Sequence, residues 1–298
     1  MLTKFTALVM GVLLSVSALA ADMATLTRQA QSGDAAAQYD LGVKYKYGFG
    51  VSQDHQKAVE WFTKAAHQGL AAAQYNLGEM YGKGRGVGQD HQKAVEWYTK
   101  AAHQGDADAQ AVLGVLYDIG LGVGQDHQKT IEWYTKAAHQ GDADAQTVLG
   151  LMYAEGWGVR QDYQKAVEWY TKAANQGHAA AQNNLGEMYN RGWGVSEDYH
   201  KAFEWYSKAA GQGHAKAQYN LGEMYNRGWG MRIDYQKAVE WFTKAAHQGH
   251  AGAQYKLGFM YEYGQGVRED KSTAKRYYGQ ACDQGDQSAC YYYRKLIQ

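Results

Sequence analysis

The sequence lacks proline and has only two cysteines among its 298 residues. A chain without proline leaves glycine as its main helix breaker, and there are 36 glycines here. The rest of the composition is rich in Ala, Gln, Lys and Glu, which favour helices. These features predict an all-α protein.

Net charge is also absent, since 30 Lys and Arg residues balance 30 Asp and Glu residues. Without a basic field, nothing in the sequence predicts nucleic acid or anionic lipid as a partner. Beyond the first twenty residues there is no long apolar run either. We therefore expect no membrane span, and we expect the protein to be a monomer.

The first twenty residues have a different pattern. Lys4 supplies a positive charge, residues 5–18 are almost wholly apolar, and residues 18–20 have a small-x-small form. This order predicts a secretory signal peptide over residues 1–20, cut after Ala20. The alternative is a membrane anchor, but the apolar run is shorter than the roughly 20 residues needed to cross a bilayer. We expect a soluble protein, periplasmic or secreted.

A period of 36 residues runs through the rest of the chain. A Leu-Gly pair, a tyrosine and a tryptophan all recur at this step, with Tyr277 in the seventh tryptophan position. Seven repeats, numbered one to seven, therefore span about Ala35–Asp286. The glutamine of an AxAQ motif marks them at Gln38, Gln74, Gln110, Gln146, Gln182, Gln218 and Gln254.

Each repeat is predicted to contain two helices, as the second repeat illustrates. Leu77 and Tyr81 are spaced for one face of a first helix, and Gly84 ends it because glycine tolerates the left-handed conformation. Asp90 then stands where the N-cap of a second helix belongs. Ala94 begins the apolar stripe of that second helix.

Small residues are expected to bring the two helices of a repeat together. Gly78 allows close approach, while Tyr81 and Trp97 are predicted to fill the remaining volume. One hairpin cannot bury its apolar face alone, but stacked hairpins can. The predicted fold is thus a right-handed αα-superhelix (solenoid) whose inner surface is lined by first helices. Capping helices are predicted over residues 21–34 and 287–298.

The pattern AxAQxxLGxxYxxGxGVxxDxxKAxxWxxKAAxQG resembles the Sel1-like repeat, a relative of the tetratricopeptide repeat. The resemblance covers nearly all of the chain after residue 34. It implies an adaptor or scaffold that binds a protein or peptide partner, without a cofactor. Such proteins are often exported in bacteria.

The last repeat departs from the others. Its segment "RYYGQACDQGDQSAC" resembles the cysteine-rich Sel1 proteins of the Hcp type, some of which are described as β-lactam-binding proteins or β-lactamases. This resemblance implies an alternative function in β-lactam binding or hydrolysis. The Hcp proteins carry a cysteine pair in most repeats, whereas this chain has one only in the last.

The two cysteines are predicted to form a disulfide. Cys282 ends the last second helix, and Cys290 opens the closing first helix. Their counterparts in the preceding repeat, Ala246 and Gln254, are expected to face each other across a tight hairpin. Disulfides persist in an export compartment. The alternative is two free thiols.

No catalytic signature stands out. Ser272 and Lys275 fit SxxK, whose serine and lysine lie one helical turn apart and can share a proton. The companion motifs SDN and KTG are missing, so we interpret the match as chance and predict no enzyme activity.

The histidines are interpreted as solvated repeat positions without a metal. Neighbours in each series are one repeat apart, roughly 10 Å in space, whereas metal ligands converge at about 2 Å. The series that follows the capping aspartate is His55, His91 and His127. The series that precedes Gln-Gly is His67, His103, His139 and His247.

The string "NLGEMYNRGWG" occurs twice, at Asn184–Gly194 and Asn220–Gly230. Its Leu, Gly and Tyr positions are shared by all repeats and are expected to form core. The other positions vary between repeats, and by analogy with tetratricopeptide repeats several face the inner groove. In repeats five and six these are Asn183, Asn184, Glu187, Asn190, Arg191, Tyr219, Asn220, Glu223, Asn226 and Arg227. An alternative is recent duplication without selection for binding.

Asn and Arg in adjacent repeats are suited to hold a peptide backbone or a carboxylate. Repeat three supplies an apolar stretch at matching positions, Ala111, Val115 and Ile119. A tryptophan occupies one loop position in three successive repeats. Such aromatic ladders are typical of interface hot spots, although each ring could simply pack over the adjoining helix end. The three are Trp157, Trp193 and Trp229.

Overall fold

The computed structural model describes residues 22–296, which form two compact units, 22–140 and 141–296. The predicted signal peptide lies outside the described residues. Within residues 22–296 all regular structure is helical, and no strand occurs. In the same range, no helix combines the length and the apolar character needed to cross a membrane.

The first unit contains three helical hairpins behind a leading helix. Each hairpin pairs a first helix with a second helix of 13 residues. The helices are α1 (22–31), α2 (Ala35–Tyr47), α3 (His55–His67), α4 (Ala71–Lys83), α5 (His91–His103), α6 (Ala107–Ile119) and α7 (His127–His139).

The second unit contains four hairpins and a closing helix. Helices adjacent in sequence pack against each other, and α14 also contacts α16. The helices are α8 (Ala143–Glu155), α9 (Tyr163–Asn175), α10 (Ala179–Arg191), α11 (Tyr199–Gly211), α12 (Ala215–Arg227), α13 (Tyr235–His247), α14 (Ala251–Tyr263), α15 (Lys271–Asp283) and α16 (Gln287–Lys295). The predicted all-α fold of seven helix-turn-helix repeats is confirmed.

Helix ends follow the predicted chemistry. The Asp90 carboxylate accepts a hydrogen bond from the backbone N–H of Lys93, and Gly84 ends α4 at a φ of 64°. The first helices add a device that sequence reasoning missed. Three of them have a histidine as the N-cap, and its Nδ1 accepts a hydrogen bond from a backbone N–H. These are His178, His214 and His250. A neutral imidazole nitrogen can replace the usual cap oxygen because it is also an acceptor.

The packing inside a hairpin differs from the prediction in one respect. Tyr81 and Trp97 are only partly buried, whereas Tyr98, the residue after the tryptophan, is buried. A Cβ atom at Gly78 would lie 3.0 Å from the Tyr98 ring. Tyr98 therefore fills the space beside Gly78. On α5 it is the position after the tryptophan, and not Trp97 itself, that points toward the partner helix.

A glutamine pair links successive hairpins within each unit. Gln74 donates through Nε2 to the carbonyl oxygen of Ala66 at 3.1 Å, and its Oε1 accepts from Gln104 Nε2 at 2.7 Å. Buried polar groups need such partners, so the AxAQ glutamine fixes one hairpin against the next. Neither hydrogen bond can be seen from periodicity alone.

The second unit ends in a disulfide. Cys282 and Cys290 are bonded, and their Cα atoms lie 4.6 Å apart. The pair joins the last turn of α15 to the first turn of α16. Closing helix α16 also contributes buried Ala289 to a core with Tyr278. The bridge thus ties the closing helix to the last repeat.

Candidate functional site: two clefts between first helices

Two cavities lie side by side in the second unit. The α8–α10 cleft has a volume of about 190 Å³, and the α10–α12 cleft has a volume of about 170 Å³. Glu187 lines both, so the two clefts adjoin along α10. Residues of the first helices α8, α10 and α12 make up most of both linings.

Most of the predicted binding residues line these clefts. The α10–α12 cleft is lined by Glu187, Asn190, Arg191, Tyr219, Asn220, Glu223 and Trp229. The α8–α10 cleft is lined by Asn184, Glu187 and Trp193. Asn226, Arg227 and Trp157 line neither. Asn183 is buried and supports the site from behind, because its Oδ1 accepts from Asn220 Nδ2 at 3.0 Å.

The arginines are engaged within their own helices. Arg191 Nε lies 3.1 Å from Glu187 Oε1, and Arg227 Nε donates to Glu223 Oε2 at 2.9 Å. These are i,i+4 pairs on exposed arginine side chains, so each contributes little to stability and can open to a ligand.

Each glutamate also meets a lysine from the following repeat. Lys216 Nζ donates to Glu187 Oε2 at 3.2 Å, and Lys256 Nζ lies 3.0 Å from Glu223 Oε1. The two clefts are therefore bordered by paired charges of both signs. Such a border suits a polar segment better than a purely apolar one.

Two of the three tryptophans stack on a tyrosine of the preceding repeat. Trp193 lies parallel to Tyr163 with ring centroids 5.3 Å apart, and Trp229 lies parallel to Tyr199 at 5.8 Å. Packing over a helix end is thus their structural role. Arginine adds to it, since Arg191 Cζ lies 4.6 Å from the Trp193 ring centroid. Trp157 is 55% exposed.

The glycines on either side of Trp193 have separate tasks. Gly192 ends α10 in the left-handed conformation, with a φ of 67°. Gly194, with a φ of 70°, lies against the backbone of Tyr163, where any side chain would overlap the carbonyl group. The Gly-Trp-Gly string is therefore a tight connection that lays the indole on the neighbouring repeat.

Two further residues of the α10–α12 cleft were missed from sequence. Tyr206 and Met224 line it, and both are buried. Burial and, after it, the negative charge of Glu223 raise the pKa of Tyr219 to about 12. Burial likewise raises the pKa of Tyr206. The cleft tyrosines are neutral hydrogen-bonding groups at physiological pH. Tyr206 could have been found from sequence, because it is the aromatic residue that follows the repeat tryptophan.

The apolar residues of repeat three lie in the first unit, on α6. Val115 is 44% exposed and Ile119 is 60% exposed. Ala111 is half-buried. They form a partly exposed apolar strip on α6.

The SxxK pair, Ser272 and Lys275, lines a surface cavity of about 320 Å³ together with Tyr293. Ser272 is exposed at the start of α15, and Lys275 Nζ lies 5.8 Å from the Tyr293 ring centroid. Among residues 22–296, no three His, Cys, Asp or Glu side chains are grouped to hold a metal ion.

Comparison with protein families finds the Sel1 repeat over residues 35–70, 71–106, 107–142, 143–178, 179–214, 215–250 and 251–286. A comparison with curated protein sequences finds no match.

Two solved structures resemble the chain closely. The chain is 39% identical to c5321, a protective antigen of uropathogenic Escherichia coli displaying an SLR fold, with a TM-score of 0.87. The match covers 91% of this chain and 58% of c5321, so the chain spans little more than half of that relative. A Sel1 repeat protein from Oxalobacter formigenes is 38% identical, with a TM-score of 0.75, over 91% of this chain and 78% of its own.

Proposed function

Because the chain belongs to the Sel1 repeat family, we propose that it is an exported scaffold that binds a segment of a protein partner. The binding surface is the pair of adjoining clefts on α8, α10 and α12. The observation that carries this proposal is the lining of the α10–α12 cleft. Seven of the residues that vary between repeats converge there.

The cleft combines the groups that interfaces use. Trp229, Tyr206 and Tyr219 offer aromatic surface, while Asn190 and Asn220 offer amide groups to a peptide backbone. Aromatic and arginine side chains dominate the energy of many interfaces, and both occur here. A cavity of this size accommodates one side chain of a partner, so an extended segment lying across both clefts is the best fit.

Export is supported by the pattern of residues 1–20, which has the order of a signal peptide. The relative c5321 is described as a protective antigen, which agrees with an exported location. The proposed compartment is the periplasm or the exterior, and the proposed form is a monomer. The proposed partner is a protein rather than nucleic acid, given the zero net charge.

The experiment is capture of partners from the native envelope with the mature protein, followed by crosslinking. We expect the double variant R191A/R227A to lose capture, because it removes the guanidinium group of Arg191 from the α10–α12 lining and that of Arg227 from Glu223, which lines the same cleft. Its helical melting transition should stay nearly unchanged, since exposed ion pairs contribute little. The matched control, R232A/R294A, removes two exposed arginines elsewhere and should capture normally.

Capture that survives both R191A/R227A and replacement of Trp157, Trp193 and Trp229 would place the binding surface elsewhere. A nitrocefin assay on the mature protein tests the β-lactamase alternative. We expect no hydrolysis, because the companion SDN and KTG motifs are absent from the sequence.

A further inference from the structure

In the first unit, the space that corresponds to the α10–α12 cleft is filled by a lysine of this chain. Between α2 and α4 of the first unit, Lys46 is buried at 4% exposure, and its Nζ donates to Asn76 Oδ1 at 2.7 Å. The same ammonium group bonds to the carboxylate of Glu79. Glu79 also accepts from Lys83 at 2.6 Å. Burial disfavours the charged carboxylate, but the hydrogen bonds from Lys46 and Lys83 outweigh it and hold the pKa of Glu79 below its usual 4.5.

Four repeats later the same positions carry the same acceptors without the lysine. Asn220 corresponds to Asn76 and Glu223 to Glu79, while Asn190 stands where Lys46 stands. The shorter asparagine cannot fill the space that the lysine fills. The result is the α10–α12 cleft of about 170 Å³, which is lined by Asn190, Asn220 and Glu223.

Two buried oxygen atoms of this cleft accept no hydrogen bond. They are Asn190 Oδ1 and Glu223 Oε1, and Glu223 as a whole is only 7% exposed. Lys256 Nζ lies 3.0 Å from Glu223 Oε1, so it balances the charge, but the pair does not have the geometry of a hydrogen bond. An unsatisfied buried acceptor is costly, and a donor entering the cleft would remove that cost.

The neighbouring cleft shows that this feature is specific to one place. In the α8–α10 cleft the counterpart of Lys46 is Ala154, and Glu187 takes a hydrogen bond from Lys216. Glu79 and Glu187 thus each hold a lysine ammonium group of this chain in a hydrogen bond. Glu223 Oε1 meets Lys256 Nζ only as an ion pair, at 3.0 Å.

We propose that the α10–α12 cleft binds the ammonium group of a lysine side chain from the partner, in the place that Lys46 takes between α2 and α4. This proposal rests on the proposed function, and it specifies the chemical group of the partner that the cleft binds. The aliphatic stem would lie along Tyr206, Tyr219 and Trp229, whose ring faces favour a cation.

The positive charges of Arg191 and Lys256 oppose the incoming ammonium group. We therefore expect a single lysine to bind with a dissociation constant on the order of millimolar.

The experiment is ligand-observed NMR on the mature protein with three probes. These are the tripeptide Ac-Gly-Lys-Gly-amide, its norleucine analogue, and n-butylammonium chloride. We expect the lysine peptide to bind at least about tenfold more tightly than the norleucine peptide, a difference typical of one charge-assisted hydrogen bond. Binding of n-butylammonium alone would assign the cleft to free amines and overturn the lysine proposal. Equal binding of the two peptides would also overturn it.

The variant Asn190→Lys places this chain's own ammonium group in the cleft and should abolish binding of the lysine peptide. Glu223→Gln should weaken it at least about tenfold. The matched control is Gly82→Lys, the same repeat position one repeat after Lys46, where the facing residues are Val112 and Val115. It adds the same charge and should bind the peptide as the parent does. Melting curves show that each variant is folded.

The two proposals can fail separately. If envelope capture depends on Arg191 and Arg227 but the lysine peptide does not bind, the scaffold function stands and the lysine site is wrong. If the peptide binds the parent and not Asn190→Lys, while no partner is captured, the lysine site stands and the scaffold function is wrong.

Discussion

Gln104 donates a hydrogen bond of 2.7 Å to the side-chain oxygen of Gln74, thirty residues earlier in the chain. Gln74 is 5% exposed and in turn donates to the carbonyl oxygen of Ala66. One amide thus joins three consecutive helices, the end of α3, the start of α4 and the end of α5. The same pair recurs at 36-residue intervals, so stacking of hairpins depends on hydrogen bonds as well as on apolar contact.

We predict that Gln74→Ala lowers the free energy of unfolding by about 1–3 kcal/mol, because both hydrogen bonds are lost and Gln104 loses its acceptor. Urea denaturation of the mature protein measures the change. Gln92→Ala, on the exposed face of α5, is the control and should stay within about 0.5 kcal/mol of the parent. Equal effects of the two changes would mean that the glutamine pair does not stabilise stacking.

The repeat and its helix ends were predictable because they are local. Asp90 as an N-cap and Gly84 as a C-cap follow from residue type and position, and both are confirmed. The bonds between repeats were not predictable, because a period shows which residues are equivalent but not which atoms meet. The role of Tyr98 depends on helix rotation, and the His214 cap depends on an unusual acceptor.

The candidate site was likewise predictable only in part. Variation between repeats pointed to Asn190 and Glu223, and both line the α10–α12 cleft. That Asn190 Oδ1 accepts no hydrogen bond could only be found in three dimensions. The comparison with Lys46 also needed the structure, since sequence alone does not show that its ammonium group is buried beside Asn76 and Glu79.

The second prediction concerns the glycine after Trp193. Gly194→Ala should destabilise the protein more than Gly177→Ala. Both glycines have a positive φ, of 70° and 90°, so both changes carry the cost of about 1–2 kcal/mol for a left-handed alanine. Only at Gly194 would the new methyl group overlap the backbone of Tyr163, whereas nothing lies within 4 Å at Gly177.

We expect the overlap at Gly194 to add about 1–3 kcal/mol, measured as the difference between the two variants in urea denaturation. Total tryptophan fluorescence should change only in Gly194→Ala, because this connection places the Trp193 indole on the Tyr163 ring. Equal destabilisation by the two variants would show that the close approach to Tyr163 does not matter.

The third prediction concerns pH. His214 and His250 cap α12 and α14 through Nδ1, at 3.3 Å from Ala217 N and 3.2 Å from Ala253 N. Burial, and after it the charge of Lys216, lowers the pKa of His214 below 6.5; burial also lowers the pKa of His250. The neutral form is favoured in the folded state, so this stabilisation is complete above pH 6.5. It is lost as the pH falls from about 6.5 through the lowered pKa values.

Urea denaturation between pH 8 and pH 5 should therefore show stability falling below pH 6.5. Asparagine also caps helices and does not titrate, so the variant H214N/H250N should have a smaller fall over the same range. The control H247N changes an exposed histidine and should keep the slope of the parent. A double variant with an unchanged slope would assign the pH dependence to other groups.

The last prediction concerns the end of the second unit. The Cys282–Cys290 disulfide closes a loop with a sequence separation of 8. Loop closure of this length restricts the unfolded chain and stabilises the fold by about 2–3 kcal/mol. Because α16 packs mainly on α15, with a smaller contact to α14, loss of the bridge should first release α16 from the buried ring of Tyr278.

We expect mass spectrometry of the mature protein, alkylated without reductant, to show neither thiol modified. The variant C282S/C290S should expose α16 to hydrogen exchange while α8 to α13 keep their protection, since each hairpin packs on its sequence neighbours. The peptide covering Gln287–Lys295 reports on this change. Modification of both thiols without reductant, or equal protection of that peptide in parent and variant, would show that the bridge does not hold the closing helix.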